Sequence, residues 1–104
     1  MTICKYPLKL TSRQRIYVTG LEKVLSVIIQ RNPMNQDGLV LYALVNTQNE
    51  SPANIEIALI STGQNIHGLE CYVWNFLGSY NMSDTHLIYH LWYRIHKNVR
   101  RRRV

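Results

Sequence analysis

Apolar residues fall in short runs rich in Val, Ile, Leu, Tyr and Trp, each bounded by turn-forming residues. The runs are Ile3–Leu10, Gln14–Val18, Val24–Arg31, Leu39–Val45, Ile55–Ser61, Cys71–Leu77 and Thr85–Arg94. At about five to ten residues each, they have the length of strands and not of helices. Between them lie 32–38, 46–54, 63–68 and 78–84, where Gly and Asn tolerate positive φ. Pro33 and Pro52 in these segments lack the N–H that a strand ladder uses.

The spacing within the runs predicts which faces are buried. Cys4, Tyr6, Leu8 and Leu10 share one side of the first run, with Lys5 and Lys9 on the other. Ile16 and Val18 share a side of the second. Val24–Ile29 and Leu39–Val45 are apolar on both sides, which predicts central strands covered on both faces. The expected fold is mainly β, a small antiparallel sandwich or barrel of about six or seven strands. An isolated sheet would leave Leu25, Val27, Ile29, Tyr42 and Leu44 in water, so a second layer or a homo-oligomer is expected to cover them.

The C-terminal segment reads two ways. As a strand, Leu87, Tyr89, Leu91 and Tyr93 alternate with Ile88, His90 and Trp92. As a short helix, Leu87, Leu91, Ile95 and Val99 stack at a four-residue spacing, capped by Ser83 or Asp84. In that case the arginines would sit at the negative end of the helix dipole. Both forms remain open over residues 86–99.

Composition narrows the class. The chain has 104 residues, 46% apolar and 17% charged, too hydrophobic for a disordered segment. No run of about 18 apolar residues appears, so no membrane helix is expected. The opening residues show no apolar core of a secretory signal, and the expected location is a cytoplasm. Cys4 and Cys71 have no Cys-x-x-Cys spacing, so free thiols in a reducing compartment are expected.

Charge changes the picture more. Residues 1–93 carry six acidic residues (Glu22, Asp37, Glu50, Glu56, Glu70, Asp84) and six basic ones, and are neutral. The whole net charge of +6 therefore lies in Arg94, Lys97, Arg100, Arg101, Arg102 and Arg103. This divides the chain into a β-rich domain, 1–94, and a basic C-terminal tail, 95–104. The tail calls for an anionic partner, with Trp92, Tyr93 and His96 as adjacent contacts; a plain solubility tail has the same composition.

No catalytic constellation is present in the sequence. The five glycines are scattered singly, no Gly-x-Ser-x-Gly elbow occurs, and the carboxylates fall on different elements. His86 and His90 would share a face in a helix, as in a metal site, but in a strand they stand about 13 Å apart, too far for one ion, and no metal or cofactor is expected. Two secondary candidates remain. The polar loop with Thr62, Gln64, Asn65 and His67 offers donors for an anion or a ribose. In a strand, Tyr72, Trp74 and Phe76 would share one face, there to stack on nucleobases or to fill the core.

Several of these residues carry a resemblance. Ile3-Cys4-Lys5-Tyr6-Pro7-Leu8 resembles the Ile-x-Lys-Tyr-Pro-Leu start of a family of small proteins common in bacteriophage and prophage genomes. The likeness continues through Lys23–Val27, Leu41–Val45 and Thr62-Gly63-Gln64-Asn65-Ile66, then Tyr72 and His90-Leu91-Trp92. It implies a β-rich phage-type protein with a strand over 86–93, and it supplies no catalytic residues. Family members end near an acidic residue after the last motif, whereas this chain continues into Tyr93-Arg94 and the arginines. The resulting expectation is a non-enzymatic binding protein in the host bacterial cytoplasm. Its partner would be nucleic acid, a nucleic-acid-binding host protein complex or a nucleotide, and inhibition of a host antiviral defence, as by an anti-CRISPR, its role. A virion-associated protein anchored by its tail is the alternative.

Overall fold

The computed structural model describes residues 1–31, 37–66, 73–82 and 87–97. Seven strands form: β1 (Thr2–Leu8), β2 (Arg13–Thr19), β3 (Leu21–Arg31), β4 (Asp37–Val45), β5 (Pro52–Ser61), β6 (Asn75–Met82) and β7 (Leu87–Lys97). They make two antiparallel sheets, a three-stranded one in the order β1-β4-β3 and a four-stranded one in the order β2-β5-β7-β6. The sheets pack as a sandwich, one of the two architectures that the alternation predicts, and no described residue is helical.

The core lies between the sheets. Leu39, Leu41, Ala43 and Val45 of β4 face Ala53, Ile55, Ile57 and Leu59 of β5, with Leu8, Val18, Leu91 and Met82 closing the cluster. Burial of such side chains stabilises by about 1.5–3 kcal/mol each. In β1 the predicted inward set holds for Cys4, Tyr6 and Leu8; Leu10 lies beyond the strand and is exposed. Cys4 is a free thiol, while Cys71 lies outside the described residues.

β4 is central, as its apolar run predicts, but β3 is an edge strand and not a doubly covered one. Its buried residues are Leu21, Val24 and Val27, three apart, while Leu25, Ile28 and Ile29 are exposed. Two register shifts explain the odd period. Leu21, Val24 and Val27 stand opposite Val45, Ala43 and Leu41, so Glu22 and Leu25 are the inserted residues.

Two crossings between the sheets meet at Gly20. It alone joins β2 to β3 across the sandwich, at φ 76°. Its N–H donates to the Ser51 carbonyl at 2.9 Å and its carbonyl accepts from Asn46 N–H at 2.8 Å, tying it to the β4–β5 crossing. A side chain there would run into the carbonyl oxygens of Asn46 and Asn49.

The bounds of two further strands differ from expectation. The sixth strand is Asn75–Met82 and not Cys71–Leu77, so part of the predicted 78–84 loop is strand. The cause is pairing: Met82, Tyr80 and Phe76 lie opposite Leu87, Tyr89 and Trp92 of β7, overriding the turn composition of Gly78, Ser79 and Asn81. The register shift between Phe76 and Gly78 absorbs the irregularity. At the C-terminus the strand form holds and the helix is absent through Lys97. β7 carries Ile95, His96 and Lys97 opposite Ile55, Asn54 and Ala53, so the sheet takes in three residues assigned to the basic tail.

Candidate functional site

The outer face of the four-stranded sheet gathers most of the chemistry. Strand register sets its side chains in rows. Arg13, Ala58, Trp92 and Phe76 form one row across β2, β5, β7 and β6. Arg15, Glu56 and Arg94 form the next, and Tyr17, Asn54 and His96 the third. Successive rows are about 7 Å apart, two residues along a strand.

Glu56 is the centre. It is 9% exposed, on the one strand flanked by β2 and β7. Arg94 Nε donates to its Oε1 at 2.7 Å, and His96 Nε2 lies 2.9 Å from the same oxygen. An ionised carboxylate only accepts, so the His96 proton sits on Nε2. Arg13 Nη1 stands 3.7 Å from Oε2 and Arg15 Nη2 3.9 Å from Oε1, looser pairs whose side chains are 40% and 50% exposed. Burial, the largest single influence, pushes the Glu56 carboxyl up. Hydrogen bonds from His96 and Arg94, with the charges of Arg94 and Arg15, outweigh it and hold the carboxyl below its ordinary 4.5. Among the described residues, three guanidiniums and His96 gather around this one carboxylate.

Aromatic rings frame the cations. Trp74 is 3% exposed and packs with Ala58, Ile60 and Trp92. The Arg94 and Arg13 guanidinium carbons stand 4.5 and 4.9 Å from its ring centroid. Such cation–π contacts contribute about 0.5–2 kcal/mol and fix the guanidinium planes. Phe76 tilts against Trp92 with centroids 5.0 Å apart, and is 53% exposed. Tyr17 on the opposite edge strand is 75% exposed. Asn54 Oδ1 and Trp74 Nε1 are buried with no hydrogen-bond partner among the described residues.

The sequence candidates divide accordingly. Arg94 and His96 belong to the cluster, and Trp92 lies beside it. Tyr93 does not: strand alternation turns it inward, where it packs against the main core. Lys97 ends β7, exposed. Arg100, Arg101, Arg102 and Arg103 lie outside the described residues, as do Tyr72, His67 and His86. Trp74 and Phe76 do not share a strand as expected, because Trp74 precedes β6 and packs with Ala58, Ile60 and Trp92.

The polar loop is committed internally. Gln64 Oε1 accepts from Ser61 N–H at 3.1 Å, and the turn places Gly63 at φ 86°. Thr62 Oγ1 lies 2.8 Å from His90 Nε2, and Ser79 Oγ 2.7 Å from His90 Nδ1. A neutral imidazole donates through one nitrogen and accepts through the other, so His90 pins this loop to β6. Asn65 is exposed.

Arg13, Arg15 and Glu56 are absent from the sequence-derived site. Charge counting hides them in the balance of six acidic and six basic residues over 1–93; only the β2–β5–β7 register brings them together. The one available signal is the Arg-x-Arg spacing at 13–15, which puts both guanidiniums on one strand face.

No curated protein and no solved structure matches the chain. Residues 1–102 match a domain of unknown function, DUF7352, and with nearly its whole length matched the chain belongs to that family.

Proposed function

We propose that this protein is a non-enzymatic binding module that engages an anionic partner, with nucleic acid as the partner class. A nucleic-acid-binding host complex presents the same phosphate chemistry when it is loaded. The observation that carries the reading is the convergence of Arg13, Arg15, Arg94 and His96 on one sheet face, around the Glu56 carboxylate. The strand that carries Arg94 and His96 ends at Lys97, and the sequence goes on to Arg100–Arg103. A neutral body is thereby polarised, with one cationic face and a cationic end. Such a surface binds polyanions by counterion release, without base-specific contacts. The likeness to phage proteins makes stoichiometric interference with a host antiviral defence the setting for this binding.

The test is binding of labelled nucleic acid to the full chain and to a variant ending at Lys97, over a series of salt concentrations. Affinity is expected to fall log-linearly with salt, with a steeper slope for the full chain, because each phosphate neutralised adds to it. Absence of binding at low salt would overturn the reading.

A further inference from the structure

We infer that the outer face of the four-stranded sheet is a platform for single-stranded nucleic acid, with phosphates on the arginine rows and bases on Phe76 and Tyr17. The inference rests on the polyanion reading above and names the form of ligand that it takes. Its first support is the placement of exposed rings. Phe76 on β6 and Tyr17 on β2 stand on the two edge strands of the face, with Arg94 on β7 between them and Arg13 and Arg15 on the strand that carries Tyr17. Phe76 is backed by Trp92 at 5.0 Å, which fixes its ring while leaving more than half of the residue in water. A large aromatic held this way contributes little to the core, and its free area is apolar surface suited to a base.

The second support is the charge arrangement. Arg94 is bound closely to Glu56, but Arg15 reaches it only at 3.9 Å and keeps half of its side chain exposed. A phosphate set beside Glu56 meets guanidinium groups from β2 and β7 together. Guanidinium forks match phosphate oxygens in pairs, and Trp74 holds the planes of Arg13 and Arg94.

The third support is shape. A four-stranded sheet is about 14 Å across, and among the described residues no helix stands on it to enter a groove. A duplex would offer this face phosphates alone, since its bases are stacked inside. A single strand offers phosphates and unstacked bases at once, and so uses both kinds of side chain.

The experiment compares three fluorescently monitored ligands on the full chain: oligothymidine, a duplex of equal length, and inorganic polyphosphate as competitor. Oligothymidine is expected to bind about tenfold more tightly than the duplex. Phe76→Ala is expected to lose about tenfold on oligothymidine and nothing on polyphosphate. Phe76→Leu, which keeps apolar cover on Trp92, is expected to lose the same, separating stacking from folding. Arg15→Ala is expected to weaken all three ligands. Equal affinity for single strand and duplex, with silent Phe76 variants, would overturn the platform while leaving the polyanion reading standing. Failure of all three ligands to bind would overturn both.

Discussion

Glu56 is the residue on which the outer face is organised, and its environment sets a definite pH dependence. Its carboxyl is held below 4.5 in the folded protein, so the unfolded chain takes up the proton first as pH falls. The stabilisation from this cluster is therefore present above about pH 4.5 and is lost as pH falls through the folded value. Glu56→Gln removes the charge that Arg94, His96, Arg13 and Arg15 share, and is expected to cost about 1–3 kcal/mol at neutral pH. Denaturant midpoints measured for both proteins across pH check this: the gap should close in acid, and a gap independent of pH would contradict it. Arg94 and His96 were visible in the sequence as part of a cationic run. Glu56 was not, because one carboxylate among six has no local mark; its partners lie 38 and 40 residues away.

Strand identity depends on local pattern in some elements and on pairing in others. β1, β2, β4 and β5 are legible because alternation or a continuous apolar run coincides with their burial. β6 is not, since an edge strand with one wet face tolerates Gly78, Ser79 and Asn81, and its pairing to β7 decides the matter. β3 misleads in the other direction: its apolar density suggests a central strand, while its bulges turn Leu25 and Ile28 outward. Gly20 is the tightest requirement among the connections. Gly20→Ala combines positive φ with a clash against two backbone carbonyls and is expected to cost about 3 kcal/mol, read as a lowered midpoint in chemical denaturation. The extent of β7 has its own consequence. A variant ending at Arg94 loses the pairing of Ile95, His96 and Lys97 with β5 and is expected to melt at least about 4 °C below one ending at Lys97. Equal melting temperatures would show that these three residues add nothing to the sheet.

At the scale of the whole molecule, the four-stranded sheet extends through Lys97, three residues into the segment assigned to the basic tail, and Arg13, Arg15 and Arg94 share its outer face. The count of charges was legible, but their placement was not, because sheet topology decides which cations share a layer and which carboxylate stands among them. Lys5 and Lys23 lie on the three-stranded sheet, opposite Tyr42 and Leu44, while Arg13, Arg15 and Arg94 share the other layer. This sorting separates the proposed binding face from general electrostatic attraction, since removing one cation from either layer changes the net charge equally. The most direct measurement is therefore the salt dependence of oligothymidine binding for the full chain, Arg15→Ala and Lys5→Ala. With the four-stranded sheet as the binding face, Arg15→Ala should flatten the log–log slope by about 0.7, one phosphate contact on a single strand, and Lys5→Ala should leave it unchanged. Equal slopes for all three proteins, or equal losses in the two variants, would contradict it.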